Sequence, residues 1–295
     1  MQMKHVEIPM KSLHDTFNLY VIGDVHIGSS NCAEKHFKRF VKYIEKQPNA
    51  YWVGGGDYCS CITPSDLKRF DFNGLADWLF MGSSLDIKEA LADISKQERD
   101  RFCEIVKPIT NRCLGLIEGN HEQKFMQHNN NGHHYLMCDQ LSVDNLTDCA
   151  FLRLRAGKGK SGDSRVVTIF IMHGFGGGRT AGAEPNHLAR LGTFAEADII
   201  LRGHSHTFHI APPEPRLYIP TRGRLPAECL ERTVRKANWG CWLKSYAAGP
   251  STYDSRAGYP PRPLVTLEIT IKPHHGENNK HKPTIIRMSE CPYDM

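Results

Sequence analysis

The stretch Leu114-Gly115-Leu116-Ile117-Glu118-Gly119-Asn120-His121-Glu122 runs from an apolar, β-like segment into a turn of glycine, amide, imidazole and carboxylate. Alone it says little, because Asn and His in a turn usually serve the backbone. The chain repeats the pattern four more times. Leu19 to Ile22 leads into Gly23-Asp24-Val25-His26, and Tyr51 to Val53 into Gly54-Gly55-Gly56-Asp57. Val166 to Met172 leads into His173-Gly174, and Asp198 to Leu201 precedes Gly203-His204-Ser205-His206. Five polar turns closing five β-like runs call for a common explanation.

Between these runs the apolar period changes from two to about 3.6. Ala33 to Gln47 places Phe37, Phe40, Val41 and Ile44 at helical spacing before Pro48. Strand, helix, strand predicts a parallel pair with a right-handed crossover. Residues 58–108 interrupt the alternation. They are read as a helical insertion over one end of the sheet, with helices over Ser65–Phe70, Leu75–Phe80 and Ile87–Val106. Helices are also predicted over His121–His128, Tyr135–Leu146 and Asn186–Ala195, with a solvated Asn- and His-rich turn at 128–134. Phe151 to Arg155, a Gly- and Lys-rich loop at 157–163 and Val166 to Met172 read as a hairpin. Residues 1–17 read as an edge strand or a short arm. Strands are expected near 241–247 and over Leu264–Ile271, and residues 212–295 as a basic C-terminal extension. No repeat or low-complexity linker divides the chain, so one α/β domain over 1–295 is expected.

Of 295 residues, 37 are Lys or Arg and 32 Asp or Glu, a net charge of +5 that leans mildly towards anionic partners without approaching a histone-like surface. Sixteen histidines are many, and His is the commonest metal ligand. The ten cysteines show no paired Cys-x-x-Cys spacing, and Cys59-Ser60-Cys61 is their only close pair, so a structural zinc site is not indicated. No run approaches a membrane span and the first residues lack the apolar core of a secretory signal. A cytoplasmic protein with reduced thiols and no membrane partner is the simplest expectation.

Loops at the carboxyl ends of strands gather along one edge of a sheet with crossover helices. Asp24, His26, Asp57, Asn120, His173, His204 and His206 all fall at such ends. Two carboxylates, one amide oxygen and four imidazoles suit Mn, Fe or Zn better than Ca or Mg alone. Seven donors exceed one tetrahedral ion and match two ions sharing a carboxylate.

The order Asp-x-His, Gly-Asp, Gly-Asn-His-Glu, His, Gly-His-x-His over roughly residues 18–210 resembles the calcineurin-like metallophosphoesterase superfamily. The resemblance implies a four-layer α-β-β-α sandwich of two mixed sheets with a dinuclear site at one edge. It implies that Asp24, His26 and His206 hold one metal, that Asn120, His173 and His204 hold the other, and that Asp57 bridges them. His121 matches no ligand position; the resemblance places it beside the scissile phosphate, where it assists the leaving oxygen. Two divalent ions, Mn first among Mn, Fe and Zn, would clamp the phosphate and activate a bridging water for in-line attack.

The chain departs from the superfamily's protein Ser/Thr phosphatases. Tyr58-Cys59-Ser60-Cys61 follows Asp57 where they carry Asp-Arg, which argues against a phosphoprotein substrate. The first turn resembles the phosphodiesterase and nuclease branches. A phosphodiesterase or nuclease is therefore the leading expectation. A phosphomonoesterase acting on a nucleotide or small metabolite is the alternative, and a non-catalytic scaffold of the same fold ranks last because no donor is missing. Glu122 carries no substrate information by itself. Cys59 and Cys61 read as inert buried thiols. Arg179, in the glycine-rich loop after His173, reads either as a phosphate contact or as part of a plain connection. The basic segment 216–236, with Arg216, Arg232, Arg235, Lys236, Tyr218 and nearby Trp239, fits either a nucleic-acid surface or a solvated face.

Overall fold

The computed structural model describes residues 1–12, 14–80, 93–157, 164–178, 180, 182–219, 229–246, 252–273 and 284–293. Alternation along single strands builds its layers. In β2 (Phe17–Gly23), Leu19 and Val21 face one way, into a cluster with Leu152, Ile169, Leu201 and Ile269. Tyr20 and Ile22 face the other way, against Phe37, Phe40 and Trp52. A strand buried on both faces has to carry apolar residues continuously, which is why Leu19 to Ile22 shows no polar break.

Two sheets result. The five-stranded sheet has the order β12 (Ile285–Glu290), β11 (Leu267–Lys272), β2, β3 (Ala50–Gly56), β4 (Cys113–Leu116). Its β2, β3 and β4 are parallel, and β11 and β12 are antiparallel. The larger sheet has the order β1 (Gln2–Pro9), β5 (Cys149–Gly157), β6 (Ser164–Met172), β7 (Ile199–Arg202), β10 (Leu230–Trp239), β8 (Phe208–Ile210), with β9 (Glu214–Tyr218) also pairing with β10. It mixes parallel and antiparallel neighbours. Helices α1 (Glu34–Lys46), α2 (Ile94–Val106), α3 (Asn120–Asn129) and α4 (His133–Leu141) contribute to the outer cluster of the smaller sheet. Against the outer face of the larger sheet, Leu191 of α5 (Ala183–Phe194) packs on Phe170 and Ile200. Helix, sheet, sheet, helix is the four-layer sandwich.

Several local expectations change. The segments 65–70 and 75–80 are too short to repay helix nucleation. They give turns, with single 3-10 turns at Phe72–Gly74 and Asp77–Leu79. The predicted helix over 87–106 is seen as α2 from Ile94, and residues 81–92 lie outside the described set. Rather than lying over the end of the sheet, α2 joins the outer helical layer, where Phe102 stacks on Phe37 at 6.1 Å. No strand forms at 241–246; the strand is the preceding β10. Its basic residues hid it, since Arg232 and Lys236 read as solvated until their acidic partners are in place. Residues 212–295 are not an extension, because β10 and β11 are interior strands of the two sheets. Residues 2–9 form the edge strand β1 rather than an arm. The helix expected over 135–146 is α4, which begins two residues earlier and ends at the left-handed Ser142. That shift buries His133 and His134, which the sequence had placed in a solvated turn.

A short helix, α6 (Tyr253–Ala257), lies between β10 and β11. Among the described residues no helix is long and apolar enough to cross a membrane.

Candidate metal centre

The carboxyl ends of β2, β3 and β4 in one sheet and of β6 and β7 in the other meet at one edge of the sandwich. Backbone bonds tie the loops before any side chain acts. Val25 N–H and His26 N–H both donate to the Asp57 carbonyl, at 2.9 and 3.0 Å, and Gly203 N–H donates to the His173 carbonyl at 2.9 Å. Asp24, His26, Asp57, His204 and His206 all have φ between 48° and 67°. That left-handed region is unfavourable for residues with a Cβ and is held only where surroundings over-determine it. Five of the seven candidate donors therefore sit on strained backbone at strand ends.

The side chains form two groups that meet at one carboxylate. Asp24, His26 and His206 bring one donor atom each within 4.8 Å of one another, as do Asp57, His173 and His204. Asp57 Oδ2 is 3.1 Å from His173 Nε2 and 3.9 Å from His26 Nε2, so one oxygen faces both groups. Asn120 Oδ1 lies 3.0 Å from His173 Nε2 and 2.7 Å from His204 Nδ1. His26 Nε2 and His206 Nε2 are 3.1 Å apart, and His206 Nε2 is 3.4 Å from Asp24 Oδ1. Ligands held about 2.0–2.2 Å from a common transition-metal ion lie roughly 3–3.5 Å from one another, which matches these separations. Asp24 Oδ1 is buried without a hydrogen-bond partner. An orphaned buried carboxylate oxygen aimed at two imidazole nitrogens fits a cation.

Electrostatics points the same way. Burial pushes His206 down to about 3 and His204 down to about 4, and lowers His26 well below its ordinary range, so these imidazoles are neutral donors. Burial works against charge on Asp57, yet His173, His121 and His26 outweigh it and hold the carboxyl well below the usual range. His173 is raised to about 10, since Asp57 and Asp24 overcome the burial that would neutralise it. Burial lifts Asp24 to about 7 against the pull of His173. Both carboxyls and His173 thus hold charge or protons that a bound cation would redistribute.

His121 opens α3 and joins a third group with His26 and Asp57. Its Nδ1–H donates to the Ser60 carbonyl at 2.5 Å, which turns Nε2 away from that loop. Its backbone N–H donates to Asp57 Oδ1 at 2.9 Å. Asp57 thus spends one oxygen on the α3 N-terminus and leaves the other for the histidines.

Four further residues support the centre in ways that the sequence reading did not assign them. Glu122, fully buried, accepts from four backbone N–H groups: Gly119 (3.1 Å), Asp57 (3.0 Å), Tyr58 (2.8 Å) and Cys59 (3.2 Å). It locks the Asp57 loop to the start of α3. Trp239 had been weighed as a stacking surface for bases; it is buried and donates from Nε1 to Asp24 Oδ2 at 2.8 Å. A Cβ on Gly203 or Gly55 would sit 2.2 or 2.6 Å from its ring, which explains why bare backbone stands at these two stations. Glu184 of α5 accepts from Ser205 Oγ at 2.6 Å and faces the fully buried Arg202, while Asn238 Nδ2 donates to Ser205 Oγ at 2.7 Å. The His204-Ser205-His206 turn is held from beneath. Only Glu122 carried a local signal, as the third residue of a helix after a capping position.

The other candidates separate. Arg179, Arg222 and Arg224 lie outside the described residues. Arg216 and Arg232 pair with Glu196, Glu214 and Asp198, and Lys236 with Glu214, so these cations are engaged within the fold. Cys59 and Cys61 are buried, and burial raises both thiols above their usual range, as expected for inert sulfurs.

Two mixed sheets, sandwiched by helices, thus carry the five polar turns together at one edge. This is the four-layer arrangement that the sequence's resemblance to calcineurin-like metallophosphoesterases implied. No protein-family model matches the sequence, and no curated protein matches it. Solved structures align over most of the length. Vps29 from Entamoeba histolytica, complexed with Zn²⁺, is 11% identical over 93% of this chain and 99% of its own, with a TM-score of 0.37. A predicted phosphoesterase from Streptococcus pneumoniae is 13% identical over 92% and 99%, with a TM-score of 0.31. A metallophosphoesterase from Sphaerobacter thermophilus is 14% identical over 95% and 90%, with a TM-score of 0.30. At such identities and TM-scores, the chemistry of this chain has to be read from its own residues.

Proposed function

We propose that the chain is a metal-dependent phosphoesterase, acting on a phosphodiester or nucleic-acid strand in preference to a monoester. The observation that carries this reading is the pair of donor groups meeting at Asp57 Oδ2. Asp24, His26 and His206 would hold one divalent ion and Asn120, His173 and His204 a second, with Asp57 shared. Such ions supply charge neutralisation for the phosphoryl oxygens and lower the pKa of a bound water. The remaining work belongs to the protein. The N-terminus of α3 opens beside Asp57 and favours an anion there. His121, fixed at Nδ1 by the Ser60 carbonyl, presents Nε2 to the departing oxygen and gives it a proton from the imidazolium form, which burial disfavours by lowering its pKa. The flanking cleft, of about 730 Å³, is wider than a lone phosphoryl group needs and favours a diester with substituents on both sides.

The test is hydrolysis of bis-p-nitrophenyl phosphate with Mn or Zn, alongside p-nitrophenyl phosphate. Asp57→Ala and Asn120→Ala are each expected to lower turnover by roughly 10³-fold or more and to lower bound metal measured by elemental analysis. Unchanged turnover in both variants would overturn the reading.

A further inference from the structure

Two sets of cationic side chains line the cleft: Lys68, Arg69 and Lys124, and Arg256 and Arg262 with Tyr259. Lys124 shares α3 with His121, whereas Arg256 and Arg262 belong to the segment that follows β10. The sets differ in how they are engaged. Arg262 is buried against Asp254 at 3.3 Å with its guanidinium over the Tyr259 ring, and Arg256 lies 3.4 Å from Asp71. Of Lys68, Arg69 and Lys124 only Arg69 has an acidic partner among the described residues. Asp66 accepts from its Nε at 2.5 Å, which orients the guanidinium and leaves both Nη groups for a ligand. Lys68 and Lys124 are exposed and have no acidic partner among the described residues. Lys124 stands three residues after His121 on α3, so both project from neighbouring positions on one helix face.

A basic surface that only kept the protein soluble would have no reason to gather three cations in one cleft with the proton donor. Charge-assisted contacts with a guanidinium fork and two ammonium groups suit a second phosphate. We infer that Lys68, Arg69 and Lys124 form a subsite for a phosphate carried by the leaving group, so that the substrate is a phosphodiester with a further phosphate beyond the scissile one, as in a short nucleotide chain. The inference rests on the proposed phosphoesterase reading and on His121 facing the leaving oxygen. In the step, a water loses one proton to solvent as its oxygen joins phosphorus, the bond from phosphorus to the leaving oxygen breaks, and that oxygen takes the Nε2 proton of the His121 imidazolium. The subsite holds the departing fragment by its own phosphate.

The experiment compares a thymidine dinucleotide with the same dinucleotide phosphorylated at its 5′ end or its 3′ end. The products identify the departing fragment, because the new phosphate monoester stays on the other one. The dinucleotide whose departing fragment bears the terminal phosphate is expected to be cut at least tenfold faster in kcat/KM. Lys68→Ala/Lys124→Ala is expected to reduce that ratio below about threefold, whereas the surface pair Lys38→Ala/Lys96→Ala controls for net charge. No preference, a preference for phosphate on the retained fragment, or an equal effect of the control pair would overturn the inference. Binding of thymidine 3′,5′-bisphosphate to metal-free protein, followed by calorimetry, gives a second readout. The subsite variant is expected to bind at least tenfold more weakly, and equal binding would overturn the subsite. Absence of turnover on every diester, with the binding difference intact, would defeat the phosphoesterase reading and leave the anion subsite standing.

Discussion

Two sets of buried histidines show what distinguishes a reactive site from a packed core. His26 and His173 at the sheet edge and His133 and His134 on α4 are all nearly inaccessible. The edge pair belongs to loops where donor atoms converge within about 3–4 Å, much of it on left-handed backbone. The α4 pair sits in regular helix with ordinary surroundings. His133 Nε2–H donates to the Ser95 carbonyl at 2.9 Å and its ring meets Phe125 edge-on, while the His134 ring stacks on Tyr58 at 6.2 Å. Burial is common to both sets. The edge set converges on carboxylate, amide and imidazole donors from several loops, whereas the α4 pair meets the Cys61 and Cys138 sulfurs, and that difference marks the candidate centre.

The sharpest way to break that comparison is His121, which has the burial and company of the edge set but a proposed role apart from the metal. His121→Ala is expected to retain bound metal and to lose roughly 10²- to 10⁴-fold in kcat on bis-p-nitrophenyl phosphate. Elemental analysis alongside the kinetics decides the matter, since metal loss would move His121 into the ligand set.

The α4 pair should speak through stability instead. Burial pushes His133 and His134 down to about 4, so the unfolded chain takes up protons at higher pH than the folded one. The stability this contributes is complete above about pH 6.5 and is lost as pH falls towards 4, by up to about 3 kcal/mol for each imidazole. Denaturant unfolding at pH 7, 5.5 and 4.5 checks this. His133→Asn/His134→Gln should flatten that part of the profile, and an unaltered slope would show that other groups govern it.

A smaller effect is expected at the support beneath the edge set. Trp239→Phe keeps an aromatic ring but removes the hydrogen bond to Asp24 and the outer indole atoms that fill the space at Gly55 and Gly203. Metal affinity should fall by roughly 10- to 100-fold with the fold intact. Calorimetric titration with Mn or Zn measures it, and unchanged affinity would reduce Trp239 to packing.

The local chain determined a good deal. Apolar runs of three to seven residues leading into a glycine-containing polar turn are strand-and-turn signals that need no distant partner, so the carboxyl ends of β2, β3, β4, β6 and β7 could be read directly, and with them the types of donor on offer. The fold class followed from the alternation of strand and helix periods.

What the tertiary structure decided were the questions of partnership. Lys236 reads as a solvated cation until β9 brings Glu214 against it, and Trp239 reads as an exposed aromatic until three strand ends close round it. His133 and His134 look like loop residues until α2 covers them. That Asp57 stands between two donor groups, and that Glu122 pins it there through the N–H groups of Asp57, Tyr58 and Cys59, depends on contacts spanning more than sixty residues. A side chain's type is written in its own codon, but whether its charge is neutralised, buried or left for a ligand is set by what the folded chain puts beside it.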